Sequence, residues 1–206
     1  MTSFASTAFG HRVVTNSGVR LHCVTAGPAD GPLVILIHGF PARWSTWREP
    51  MAALACAGLF VVAPDMRGYG ETDKPVGISH YAVARLVDDV ASIVGQFGRE
   101  RAFVAGHDFG GGVAWAAAMR RPEFVDRLAI LNSVHPVGFE RRLRHWSQLR
   151  RSWYMLFFQL PWVPEMLLSG HDFEPLRRSL ANDGLPPDTV VDLLDGVRPP
   201  GALRAE

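Results

Sequence analysis

The apolar residues of this chain fall into short unbroken runs separated by helical repeats, with little strict alternation. Leu33-Val34-Ile35-Leu36-Ile37 is a continuous, β-branched run ending at His38-Gly39, as expected for a strand buried on both faces of a parallel sheet. Thr46 to Ala57 is rich in helix formers and closes at Gly58, and Leu59-Phe60-Val61-Val62 then reads as a second buried strand before Pro64-Asp65, which makes a β-α-β unit. From Tyr81 to Phe97 the residues Val83, Leu86, Val87, Val90, Ile93 and Val94 recur at helical spacing, with Gly98 as the stop. Ala102 to Ala105 makes the next strand, Gly110 to Arg121 the next helix and Arg127 to Leu131 another strand. Upstream, strands around Val13-Val14 and from Val19 to Val24, joined by a turn at Asn16-Ser17-Gly18, read as an antiparallel edge pair. The expectation is an α/β fold of about six strands, the sheet mostly parallel and flanked by helices on both faces.

Beyond about Ser133 only helical patterns remain, broken by prolines. The expected division is a core over 1–133 and a partial helical cap over 134–206. The first cap helix is basic, with Arg141, Arg142, Arg144, Arg150 and Arg151 beside Leu143, Trp146 and Trp153; that pattern reads as a solvated face over a buried one. Hydrophobic residues make up 48% of 206, enough for a substantial core, and 21 Lys and Arg against 20 Asp and Glu leave no general field for nucleic acid or an acidic membrane. The start lacks an apolar export segment, and the run Tyr154 to Leu168 is interrupted by Gln159, Pro161, Pro164 and Glu165. A cytoplasmic protein without membrane spans is therefore expected. Cys23 and Cys56 lie in largely apolar stretches and read as buried free thiols.

One motif carries chemistry. Directly after the Ala102 to Ala105 strand stands Gly106-His107-Asp108-Phe109-Gly110, followed by Gly111-Gly112 and a helix. This is a nucleophile elbow with Asp in the place of Ser. Small residues on both sides allow a sharp turn from strand to helix, and the helix N-terminus stabilises negative charge on the carboxylate. A carboxylate needs no base to remove a proton before it attacks saturated carbon, and the product is an alkyl-enzyme ester. The competing structural role for Asp108 is a helix N-cap. A second motif, His38-Gly39-Phe40-Pro41 with Trp44 and Trp47-Arg48 behind it, puts the backbone N–H of Phe40 where it could join that of Phe109 as an oxyanion hole. Phe40, Trp44 and Phe109 suggest an apolar pocket beside His38, whose expected role is a hydrogen-bonded structural one and not that of a base. No His/Cys/Asp cluster has metal-ligand spacing, and the glycines from 106 to 112 fit no dinucleotide or P-loop fingerprint, so neither metal nor cofactor is expected.

These motifs, with Asp65-Met66-Arg67-Gly68-Tyr69-Gly70 and Asp73-Lys74-Pro75 between them, resemble the epoxide hydrolases of the α/β-hydrolase superfamily from about Phe9 into the first cap helix. The resemblance implies a small lipophilic epoxide and water as substrates. It implies that Tyr154, in Tyr154-Met155-Leu156-Phe157-Phe158-Gln159, hydrogen-bonds the epoxide oxygen; Phe157 and Phe158, one turn along, are expected on the same cavity wall, with apolar helix packing as the alternative. Asp65 and Arg67 are expected to organise their loop. The family also uses a His, an acid and a second cap Tyr that match nothing here: Asn132 stands at one acid position, His171 beside Asp172 lies in a polar segment, and no Tyr follows Tyr154. The expectation is therefore an incomplete cap with the C-terminal core strands missing: alkylation of Asp108 survives, turnover fails, and an open sheet edge remains that a homodimer could cover. Two alternatives stay open. A haloalkane or haloacid dehalogenase uses the same Asp nucleophile, although such enzymes typically carry Trp, or nearby arginines, where this chain has Phe109 and Gly112; epoxide hydrolases too commonly carry Trp at the Phe109 position. The other alternative is a non-catalytic binding fragment.

Overall fold

The structure, a computed structural model, describes residues 8–136, 163–182 and 184–202. Six strands form one sheet: β1 (Gly10–Asn16), β2 (Val19–Ala26), β3 (Leu33–Ile37), β4 (Phe60–Pro64), β5 (Ala102–His107) and β6 (Val125–Leu131), in the order β1-β2-β4-β3-β5-β6. The continuous apolar runs became the interior strands. All five residues of β3 and all five of β4 are buried, because helices cover the sheet on both sides. β3, β4, β5 and β6 run parallel, while β1 and β2 form the antiparallel hairpin at one edge. Ser17 and Gly18 turn that hairpin with positive φ.

Helix α1 (Arg48–Cys56) covers one face, and Trp44, Trp47 and Met51 pack there on Val24, Val34, Leu36, Val61 and Ala63. Helices α2 (Val83–Gln96) and α3 (Phe109–Arg120) cover the other, where Leu86, Val90, Ile93 and Val94 meet Ile35, Ile37, Val62, Val104 and Val113. Among the described residues two further helices, α4 (Val163–Asn182) and α5 (Pro187–Val197), follow β6. Helix α5 buries Val190, Leu193, Leu194 and Val197 in the same cluster as Ala42, Met66 and Tyr69, so it is anchored on the core beside the loops at the C-terminal ends of β3 and β4.

Two expectations change. Thr46 to Ala57 divides into a 3-10 turn, Trp44–Trp47, and the helix proper from Arg48. Cys56 is exposed at the end of α1, whereas Cys23 is buried on β2; burial pushes the Cys23 thiol far above its ordinary range. The apolar neighbours of Cys56 in sequence lie on a helix whose last turn faces water, so sequence context alone misplaced it. The arginine-rich segment from 141 to 151 lies outside the described residues. Among the described residues no helix is long and apolar enough to cross a membrane.

Candidate functional site

Strand β5 delivers the chain to Asp108, and α3 carries it away. Between them Asp108 adopts φ 52° and ψ −122°, a conformation sparsely populated by any residue with a Cβ. Its N–H bonds the Leu131 carbonyl at 3.1 Å, and its own carbonyl accepts from Gly111 at 3.0 Å, so the neighbouring strand and helix hold the turn in place. The flanking glycines act through close approach. A Cβ on Gly106 would lie 2.3 Å from the Gly110 carbonyl oxygen, and one on Gly110 would lie 2.2 Å from that of His38. Strand, elbow and helix could not pack this tightly with any larger residue at either position.

The side chain of Asp108 is exposed and makes no capping hydrogen bond to α3, so the N-cap role does not describe it. Its Oδ2 accepts instead from the backbone N–H of Phe40 at 3.2 Å. Phe40 reaches that position on the loop after β3, through a cis bond to Pro41. One carboxylate oxygen therefore rests against a backbone donor while the carboxylate stays open to an approaching molecule. The ring of Phe109 is 45% exposed at the same edge, an apolar surface beside the carboxylate.

His38 and Trp44, expected on the pocket wall, have buried settings. His38 is fully buried; its Nδ1 donates to the Gly39 carbonyl at 2.9 Å, and its Nε2 accepts from the Met66 N–H at 2.9 Å. Burial lowers its pKa against the opposing pull of Asp65, so it is a neutral tie between two loops with no nitrogen left for a base. Trp44 packs against Phe9 and His11 beneath the Arg48 guanidinium. Tyr154, Phe157 and Phe158 lie outside the described residues.

Sequence reasoning missed the network beneath this edge. Asp65, at the end of β4 and 1% exposed, accepts from Trp44 N at 2.9 Å, Glu71 N at 3.1 Å and His22 Nδ1 at 2.8 Å. His22 also meets the Nδ1 of exposed His11 at 2.9 Å. Asp65 thereby ties the loop that follows Phe40 to β2. The signal in the sequence was faint: one histidine among the apolar residues of Val19 to Val24. Burial opposes both charges, yet the mutual hydrogen bond leaves the His22 pKa raised and that of Asp65 lowered. Besides Asp65, Glu71 supports the charge on His22 and Arg43 opposes it.

Stability from a raised histidine is full below its ordinary 6.5 and fades as pH climbs through the folded value; stability from a lowered carboxylate is full above its ordinary 3.8 and fades as pH falls through the folded value. The pair therefore contributes most between those limits. His22→Gln is expected to cost on the order of 2 kcal/mol near pH ~6 and clearly less near pH ~9. Urea unfolding at both pH values tests this, and an equal or larger loss at the higher pH would exclude an ionic pair.

Comparison with known proteins sets this geometry in context. Residues 32–183 match the family model described as alpha/beta hydrolase fold. The chain is 39% identical over 197 residues to the AB hydrolase superfamily protein YfhM of Bacillus subtilis, covering 93% of this chain and 69% of that protein. It is 42% identical over 165 residues to human epoxide hydrolase 4, covering 80% of this chain but only 45% of the human protein. Among solved structures, an epoxide hydrolase of Bacillus megaterium in complex with an inhibitor superposes with a TM-score of 0.84 at 29% identity, covering 94% of this chain and 70% of that one.

Proposed function

The chain belongs to the alpha/beta hydrolase fold family, and from that premise we propose that its reaction is the opening of an epoxide by Asp108 to form a covalent alkyl-enzyme ester, the first half of epoxide hydrolysis. The observation that carries this reading is the exposed, uncapped carboxylate at a strained elbow, with one oxygen against the Phe40 N–H at 3.2 Å. The names of the human and Bacillus megaterium relatives support the epoxide as substrate.

In the proposed step the free carboxylate oxygen attacks an epoxide carbon in line with the ring oxygen. The ester C–O bond forms as the ring C–O bond breaks, and the ring oxygen leaves as an alkoxide that takes a proton. By resemblance Tyr154 supplies that proton. Holding Oδ2 on a backbone donor turns the other oxygen outward, so part of the orientation needed for attack is set before substrate arrives. Completing the hydrolysis further requires a base that takes a proton from water as it adds to the ester carbonyl, with the charge developing on the oxygen beside Phe40 N; collapse then breaks the ester C–O bond, the diol oxygen takes the proton from that base, and the second water proton returns to the phenolate, leaving the carboxylate. His38 has both nitrogens engaged and buried and is not the base for that water.

Incubation with styrene oxide, followed by intact mass and peptide mapping, is expected to show one added epoxide mass, located on Asp108. A folded protein without an adduct would favour the binding-fragment reading. A 1-chloroalkane of similar size forms the control arm: faster ester formation from the chloride than from the epoxide would move the assignment to a dehalogenase.

A further inference from the structure

We propose that Asp192, on α5, is a positioning residue for the Phe40 amide, coupling the helix that ends the described chain to the nucleophile's backbone donor. The proposal rests on the assignment of Asp108 as nucleophile, and it concerns which residue keeps the neighbouring loop in register with it.

Phe40 stands at the start of an irregular segment between β3 and the 3-10 turn at Trp44. On the sheet side this segment is fixed by the Trp44 N–H to Asp65 and by a turn from Ala42 N to the Gly39 carbonyl at 2.9 Å. On the opposite side the contacts come from α5. The Asp192 carboxylate uses both oxygens: Oδ1 accepts from Arg43, with Nε at 3.2 Å and Nη2 closer, and Oδ2 accepts from the Ser45 hydroxyl. One side chain thus grips two loop residues, three and five positions beyond Phe40. The separation of 149 residues between Arg43 and Asp192 makes this a tertiary clamp.

Helix α5 is itself fixed, as a clamp requires. Four of its apolar residues are buried in the core cluster, and the Gly196 carbonyl accepts from Gly70 N at 3.1 Å. Gly196 also lies against the same loop: a Cβ there would sit 3.4 Å from the Pro41 carbonyl oxygen and 3.6 Å from that of Ala42. The side chains of Arg43 and Asp192 are 25% and 34% exposed, and an ion pair so open to water adds little to overall stability. Its leverage lies in its place. A reacting group displaced by about 1 Å loses on the order of 10²-fold in rate, and the clamp sits within a few residues of the donor that orients Asp108.

The test uses the full chain as Asp192→Ala, with the near-isosteric Asp192→Asn as a second variant should alanine disturb α5. The saturating rate of Asp108 ester formation with styrene oxide is expected to fall about 10- to 100-fold, with a smaller change in the epoxide concentration giving half that rate. Amide hydrogen exchange of the peptide spanning 38–47 should speed up at least about tenfold while α2 is unchanged. A rate within about twofold of wild type would overturn the proposal, and so would exchange that accelerates equally in α2 and the loop, since that pattern marks a general loss of stability. If the wild-type protein forms no ester, the nucleophile assignment fails on its own, and the exchange measurement still decides whether Asp192 holds the loop.

Discussion

Asp108→Gly is expected to produce a protein at least as stable as wild type and inert toward epoxides. The two halves of that outcome have one cause. At φ 52° and ψ −122° a residue with a Cβ carries strain of order 1–3 kcal/mol, which glycine does not. Against this gain stand the loss of the Phe40 N–H to Oδ2 bond, which is made at an exposed position and contributes about 0.5–1.5 kcal/mol, and glycine's larger loss of backbone entropy on folding, roughly 0.5–1 kcal/mol. The balance lies between about zero and 1 kcal/mol in favour of glycine, a rise in Tm of up to roughly 4 °C for a chain of this size. Asp108→Ala keeps the strain and loses the bond, so it should melt at or slightly below wild type. Both variants lack the attacking oxygen, and ester formation should fall by at least about 10⁴-fold. Thermal melts by circular dichroism and adduct mass after incubation with styrene oxide check the two halves separately. A glycine variant less stable than alanine would mean that the elbow is not strained. An adduct surviving on the 108 peptide in either variant would mean that another atom attacks.

That same elbow explains which parts of the molecule could be read from sequence. β3, β4 and α2 were legible because burial on two faces, or on one helical stripe, writes itself into consecutive residues. Asp108 was legible because close packing of β5 on α3 demands glycine at 106 and 110, a constraint confined to five residues. Boundaries were less so: β6 begins at Val125, two residues before the start expected at Arg127, and α3 begins at Phe109, one before the expected Gly110, since hydrogen bonding extends elements past their pattern. The polar framework beneath the site was illegible for a physical reason. His22 and Asp65 are 43 residues apart, Arg67 and Asp89 are 22 apart, and Arg43 and Asp192 are 149 apart. Each pair exists only once the sheet has ordered the loops at its edge. Reading Asp65 and Arg67 as loop organisers agrees with these contacts, but their partners could not be named. Asp89 gave the best available hint, a carboxylate on the apolar stripe of α2 between Leu86 and Val90, where an unpaired charge would be intolerable.

The largest loss of stability is expected from that residue. Asp89 is 8% exposed and Arg67 2%; the two form a bidentate pair, Nε to Oδ2 at 2.9 Å and Nη2 to Oδ1 at 2.6 Å, with Asn16 Nδ2 donating to Oδ1 at 2.7 Å. Asp89→Ala leaves the guanidinium buried with neither its countercharge nor those two hydrogen bonds. Arginine cannot escape by deprotonation, as a lysine would. The expected cost is about 3–5 kcal/mol, a large share of the ~5–15 kcal/mol typical of a folded domain. Removing both partners is a different case, because the energy gained by pairing is nearly cancelled by taking two charges out of water. Arg67→Met with Asp89→Leu should therefore recover most of the loss, and Asn16→Ala should cost only about 1 kcal/mol. Urea unfolding of the three variants separates the cases. A loss below about 1 kcal/mol for Asp89→Ala would show that water reaches the guanidinium. A double variant as unstable as the single one would show that the pair also shapes the 65–73 loop; through Asp65 and the Trp44 N–H, that loop bears on the segment presenting Phe40 to Asp108.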